Sequence, residues 1–183
     1  MNSDNSLEGG CLCGNIRYRI ESTPLFVNHC HCQQCRRHSG AVFMTHMGIP
    51  IDGFRWLKGE PTYWPSKVFD RGFCSKCGST ISAIYHDEPD IIVMPLGTLD
   101  DADKIKPAYH IFTESQVSWL KVDEELPRHA RLSPGYEHLD EGLWGLSNYS
   151  EFERLLLAEV RPTINTSQCL LWGTYLAISC LRL

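Results

Sequence analysis

Seven of the chain's nine cysteines fall in three clusters: Cys11-Leu12-Cys13, Cys30-His31-Cys32-Gln33-Gln34-Cys35 and Cys74-Ser75-Lys76-Cys77. Two clusters carry a pair of thiols and the middle one carries three. A tetrahedral metal such as Zn2+ takes four ligands. Seven thiols therefore divide into one complete site and one that is short by a ligand. A closed four-thiolate site holds a fold together, whereas a three-thiolate site keeps a position at which something else can bind. Function is expected at the second.

Cys74-x-x-Cys77-Gly78 has the form of a zinc knuckle, with a glycine to relax the tight turn behind the second thiol. Cys11-x-Cys13-Gly14 is a tighter version with the same small residue after it. Together the two pairs supply four ligands and tie the start of the chain to its middle. Cys30, Cys32 and Cys35 are left over. Three thiolates on one divalent metal carry a net charge of −1, which Arg36, Arg37 and a protonated His38 could offset. The fourth position is open at this stage: water, His29 or His31, or the sulfur of a bound thiol, with the two histidines equally readable as flanking residues that only hydrogen-bond. A second structural metal closed by a histidine fits the spacing equally well. A thiol bound to metal is held as thiolate at neutral pH, the form that adds to a small aldehyde carbonyl.

A disulfide framework is the competing reading. Nine is an odd number, the opening Met1-Asn2-Ser3-Asp4-Asn5-Ser6 has no secretory pattern, and 183 residues can bury a core without covalent staples. A reducing, cytoplasmic setting is expected. The net charge of −5 gives no basic face for nucleic acid. No run reaches the roughly 18 apolar residues of a membrane span.

The elements that must position these thiols read mainly as β. Asn15 to Ser22 alternates, with Ile16, Tyr18 and Ile20 on one side. Leu25 to Cys30 is extended, and Gln33 to His38 suits one helical turn ended near Gly40. Strands are further expected at 41–48, 54–57, 62–64, 80–85, 91–96, 111–112 and 117–122, with turn residues between them. His46, His86 and His110 read as packing or surface residues, and Trp56, Trp64 and Trp119 as core aromatics. Phe152, Leu155, Leu156, Leu157 and Val160 share a helical face, capped by Ser150 and ended by Pro162. The division expected is a β domain over 7–130 and a partly helical C-terminal extension over 131–183. Cys169 and Cys180 fall in that extension and read as buried thiols.

Several of these motifs together resemble the glutathione-dependent formaldehyde-activating enzyme and centromere protein V family. They are Gly10-Cys11-Leu12-Cys13-Gly14 with Tyr18, His29 to Arg36 followed by Ser39-Gly40 and Phe43, and Arg71-Gly72-Phe73-Cys74 to Cys77-Gly78-Ser79. Gly97 to Asp101, and His110 to Ser115 with Trp119, complete the series. The resemblance implies an Mss4-like zinc-binding β fold with two Zn2+ per chain. Cys11, Cys13, Cys74 and Cys77 would hold a structural zinc, and Cys30, Cys32 and Cys35 a catalytic one. The implied activity is carbon–sulfur lyase or synthase chemistry on a thiol adduct, such as glutathione plus formaldehyde giving S-hydroxymethylglutathione. Here water or His31 would supply the proton, and Arg36 would grip a substrate carboxylate. The partner is then a small-molecule thiol such as glutathione, with neither nucleic acid nor membrane. The alternative is a non-catalytic zinc module that binds a protein partner or carries glutathione. A redox enzyme of the methionine sulfoxide reductase kind would need an isolated nucleophilic cysteine in a polar pocket, which neither Cys169 nor Cys180 provides.

Overall fold

A computed structural model describes residues 6–65 and 68–139. The helix expected over 148–161, and Cys169 and Cys180, lie outside the described residues. Ten strands form among those described: β1 (Leu7–Gly10), β2 (Arg17–Ile20), β3 (Phe26–Cys30), β4 (Met44–Pro50), β5 (Phe54–Lys58), β6 (Thr62–Pro65), β7 (Phe69–Phe73), β8 (Thr80–Tyr85), β9 (Glu88–Pro95) and β10 (Tyr109–Ile111). One α-helix among the described residues, α1 (Gln33–Ser39), follows β3. The first sheet has the order β1-β2-β5 and the second the order β10-β3-β4-β9-β8-β7-β6. Every pairing is antiparallel except β10 beside β3. The chain is thus mainly β. No helix among the described residues is long and apolar enough to cross a membrane.

Alternation along the strands decides what faces what, because successive side chains point to opposite faces of a sheet. Tyr18 and Ile20 of β2, with Ile16 before it, bury against Met47 and Ile49 of β4 and Ile92 and Met94 of β9. Register places Met47 opposite Met94 and Ile49 opposite Ile92. This is the main core, on one face of the seven-stranded sheet. The residues between them in sequence point the other way. Cys30 lies opposite Met44 and Ile111, and Asn28 opposite His46 and Tyr109. A second, smaller core forms on that face from Cys30, Cys35, Met44, Ile111 and Phe112.

Helix α1 starts and stops where its residues require. Cys32 is the N-cap in extended conformation, and its Sγ accepts the Cys35 N–H at 3.3 Å. Gly40 ends the helix at φ 72°, a left-handed conformation that glycine takes without penalty, and its N–H bonds the Arg36 carbonyl.

Four expectations differ from the fold. β1 and β7 were not foreseen: Leu7-Glu8-Gly9-Gly10 and Phe69-Asp70-Arg71-Gly72-Phe73 are poor in β-branched residues and are strands because neighbours pair with them. Residues 117–122 form turns, not a strand. Trp64 and Trp119 are 42% and 69% exposed, so they are surface aromatics. Trp56 does pack on the core, edge-on to Tyr18 and Phe54.

Candidate metal centres

Cys11 and Cys13 come from the loop between β1 and β2, and Cys74 and Cys77 from the loop between β7 and β8. Their four sulfurs lie within 4.8 Å of one another. Sγ of Cys13 is 3.6 Å from that of Cys11 and 3.8 Å from that of Cys74. Four sulfurs at about 2.3 Å from a tetrahedral zinc are about 3.8 Å apart, so the donor set fits the ion. The loops are built for it. Gly14 and Gly78 both adopt positive φ immediately behind the second thiol of each pair. The N–H of Ile16 donates to Cys11 Sγ at 3.2 Å, and the Ser79 hydroxyl contacts Cys77 Sγ at the same distance. Hydrogen bonds from Ser79 draw the Cys77 thiol down to about 6, so it is thiolate at neutral pH.

The sulfurs of Cys30, Cys32 and Cys35 also lie within 4.8 Å of one another. Among the described residues no fourth Cys, His, Asp or Glu group joins them. Three thiols this close cannot all ionise without a cation. Hydrogen bonds from the Cys30 and Cys35 thiols hold Cys32 far below the usual range, aided by the Cys35 N–H. Cys30 is pushed up by the Cys32 and Cys35 sulfurs and by burial. At Cys35 the Cys30 thiol favours ionisation, but the Cys32 thiolate and burial outweigh it and push the group up. A divalent cation would resolve this competition, and the donor set fits zinc with one position to spare.

Neither histidine considered for that position is placed to fill it. His29 has the opposite parity to Cys30 on β3, so it faces the main core side, bonding Thr45 Oγ1 and Asp123 Oδ2 at 2.9 Å each. His31 stacks on His110, with its Nε2 2.9 Å from His110 Nδ1. His110 Nε2 meets the Asp123 carbonyl at 3.1 Å and must donate there. Neutral His110 then accepts at Nδ1, and His31 donates from Nε2. Asp123 adopts a left-handed backbone (φ 40°), which this residue type tolerates, and presents both its carbonyl and its carboxylate to the histidines. His31 is thus tied into a buried histidine stack, and burial, then the neighbouring His110, push it down to about 4.

Three residues that the thiol spacing did not single out do border the cluster. His46, read from the sequence as a packing or surface residue, has its Nε2 3.8 Å from Cys35 Sγ without joining the candidate ligand group. Burial pushes it down to about 4, so its imidazole is uncharged at neutral pH. Arg71 lies with Cys35, His46 and Tyr85 around a cavity of about 20 Å³, its guanidinium over the Phe69 ring at 4.3 Å. Burial pushes the Tyr85 phenol far up, so it keeps its proton. A larger cavity, of about 50 Å³, shares His46, Tyr85 and Val93 with the first. Arg36 and His31 line neither. His38 cannot offset thiolate charge as expected, because burial, then Arg71, push it down to about 4 and leave it neutral. His86 is exposed and pairs with Asp70.

The family model for the glutathione-dependent formaldehyde-activating enzyme matches residues 6–115. A Halomonas elongata protein called "Putative glutathione-dependent formaldehyde-activating enzyme" is 27% identical over 128 residues, covering 64% of this chain and 81% of that protein. An uncharacterised lyase of Schizosaccharomyces pombe is 28% identical over 78 residues, 43% of this chain and 57% of that protein. A solved structure of a Rhodobacter sphaeroides protein is 19% identical, with a TM-score of 0.44 over 55% of this chain and 91% of that one.

Proposed function

Since the chain belongs to the glutathione-dependent formaldehyde-activating enzyme family, we propose that it is a zinc-dependent carbon–sulfur lyase or synthase acting on the adduct of a thiol and a small carbonyl compound, with glutathione as the thiol. The observation that carries this reading is the three-sulfur cluster of Cys30, Cys32 and Cys35, joined by no fourth ligand among the described residues, with Cys35 lining the smaller cavity. A zinc ion bound there would supply a Lewis acid that keeps the substrate sulfur as thiolate. Cys11, Cys13, Cys74 and Cys77 would hold the second, structural ion.

The rest of the chemistry falls to the chain's own side chains. Cleavage breaks the C–S bond with its electron pair left on sulfur, while the adduct's hydroxyl loses a proton and becomes the carbonyl. His46, neutral and lining both cavities, accepts that proton; in synthesis it returns it. Tyr85 stays protonated and donates a hydrogen bond to the oxygen on which charge develops. Arg71, beside Cys35, takes a carboxylate of the thiol, the role that the sequence suggested for Arg36.

The test is Cys32→Ser assayed with S-hydroxymethylglutathione. Turnover should fall at least about 100-fold, in line with loss of a group acting on the transition state. Bound zinc should drop from two to one per chain while the β-sheet circular dichroism is kept. Full turnover by this variant would end the proposal.

A further inference from the structure

The larger cavity, joined through His46 to the smaller one that Cys35 lines, exceeds what a one-carbon carbonyl compound needs. A water-sized group occupies roughly 10–15 Å³ of such space, so 50 Å³ takes about three to five non-hydrogen atoms, and formaldehyde has two. Tyr109, Tyr136, Leu132 and Val93 give it an apolar and aromatic wall, and no lysine or arginine lines it. Its one acid, Glu88, is bonded to His138 at 2.9 Å. A carboxylate of glutathione would find no counter-charge there, whereas Arg71 offers one in the smaller cavity. Asn28 also lines the larger cavity. It is 4% exposed, and its Oδ1 has no hydrogen-bond partner. A buried amide left unmatched destabilises the fold unless a ligand completes it. Register sets Asn28 beside His46 on β4 and Tyr109 on β10, on the face that carries Cys30.

We propose that this cavity receives the substituent on the carbonyl carbon of the adduct: a short, uncharged chain of about three to five non-hydrogen atoms bearing a hydroxyl or amide that meets Asn28. The inference rests on the lyase reading above and names the substrate class of that site. The step is R–S–CH(OH)–R′ giving RS⁻, R′CHO and H⁺. The C–S bond breaks with its pair on sulfur, the hydroxyl proton leaves, C=O forms, and nothing is oxidised or reduced. R′ is what occupies the cavity.

The experiment compares glutathione adducts of formaldehyde, butanal and 3-hydroxypropanal, the last two isosteric apart from a terminal methyl or hydroxyl. Each buried methylene-sized group is worth roughly fourfold, so kcat/KM should rise roughly ten- to sixtyfold from the formaldehyde to the 3-hydroxypropanal adduct. Asn28→Leu should reverse the preference between the isosteric pair and raise the melting temperature. Ile91→Phe, which adds a ring to the cavity wall, should cut the ratio of 3-hydroxypropanal to formaldehyde turnover at least tenfold. Equal kcat/KM for all three adducts, or a ratio untouched by Ile91→Phe, overturns the cavity assignment and leaves the lyase reading standing. Absence of turnover with every adduct overturns the lyase reading instead. A binding measurement then decides the cavity: propanamide titrated against the Asn28 side-chain amide resonances. Saturable shifts that vanish in Ile91→Phe uphold the assignment, and no shift in the unaltered protein overturns it.

Discussion

Replacing both Cys74 and Cys77 by serine should destabilise the protein more than replacing both Cys30 and Cys32. Cys13 and Cys74 are 61 positions apart in sequence and their sulfurs 3.8 Å apart in space. A cross-link closing a loop of that length removes about 4 kcal/mol of unfolded-chain entropy. Losing the far pair opens the loop and unfastens the three-stranded sheet from the β7–β8 turn. Cys30 and Cys35 are five positions apart. By the logarithmic length dependence their loop is worth about 2 kcal/mol less, and α1 already orders it. For a chain of this size 1 kcal/mol moves the melting temperature by about 2–4 °C. The first variant should therefore melt roughly 8–16 °C below the unaltered protein and at least about 4 °C below the second. Thermal melts followed by circular dichroism, in buffer containing zinc, measure both. Equal melting temperatures, or the opposite order, would refute the division into a fastening site and a working site.

A Cβ at Gly9 would lie 2.4 Å from both the Thr98 carbonyl and the Tyr18 hydroxyl, whereas one at Gly97 meets nothing within 4 Å. Gly9→Ala should cost about 1–3 kcal/mol in denaturant midpoints and Gly97→Ala almost nothing. His38 has its pKa lowered to about 4, below the ordinary 6.5, so the unfolded chain binds a proton there first. Its stabilising contribution is complete above pH 6.5 and is lost as pH falls towards 4. Allowing for solvent screening at its half-buried ring, His38→Gln should narrow the urea-measured stability gap between pH 7 and pH 5 by about 1 kcal/mol. Arg71→Gln should raise KM for a glutathione adduct about tenfold or more, the worth of a charge-assisted hydrogen bond. It should leave the 2-mercaptoethanol adduct nearly unchanged, because that thiol carries no carboxylate. A parallel rise for both would remove Arg71 from thiol binding.

Local chemistry was readable in the sequence and cross-strand neighbours were not. Thiol pairs a residue or two apart act within one loop, so Cys11, Cys13, Cys74 and Cys77 announced a knuckle pair, and Gly40 announced the end of α1. The strand at 15–22 was visible because one of its faces is buried and its alternation is clean. β7 was missed because its pattern is interrupted by Asp70, Arg71 and Gly72, and pairing on both sides supplies what propensity does not. His46, Tyr85 and Asn28 reach the site through the register of β3, β4, β8 and β9, which no spacing along one strand reveals. The choice left open for His29 and His31 has the same origin. Neighbours of a ligand in sequence look close to the metal, but on an extended strand adjacent side chains point apart.

The parallel pairing of β10 with β3 has a consequence for how the protein is made. The four-thiol site has all its ligands once residue 77 has left the ribosome. The three-thiol site has its ligands by residue 35, but β3 remains an uncovered sheet edge until residues 109–111 emerge to pair with it. A nascent chain could therefore bring the four thiols together while the second cluster still stands at an open border. Until β10 pairs, the thiols of Cys30, Cys32 and Cys35 would lie next to that unpaired edge, where oxidation would reach them more readily.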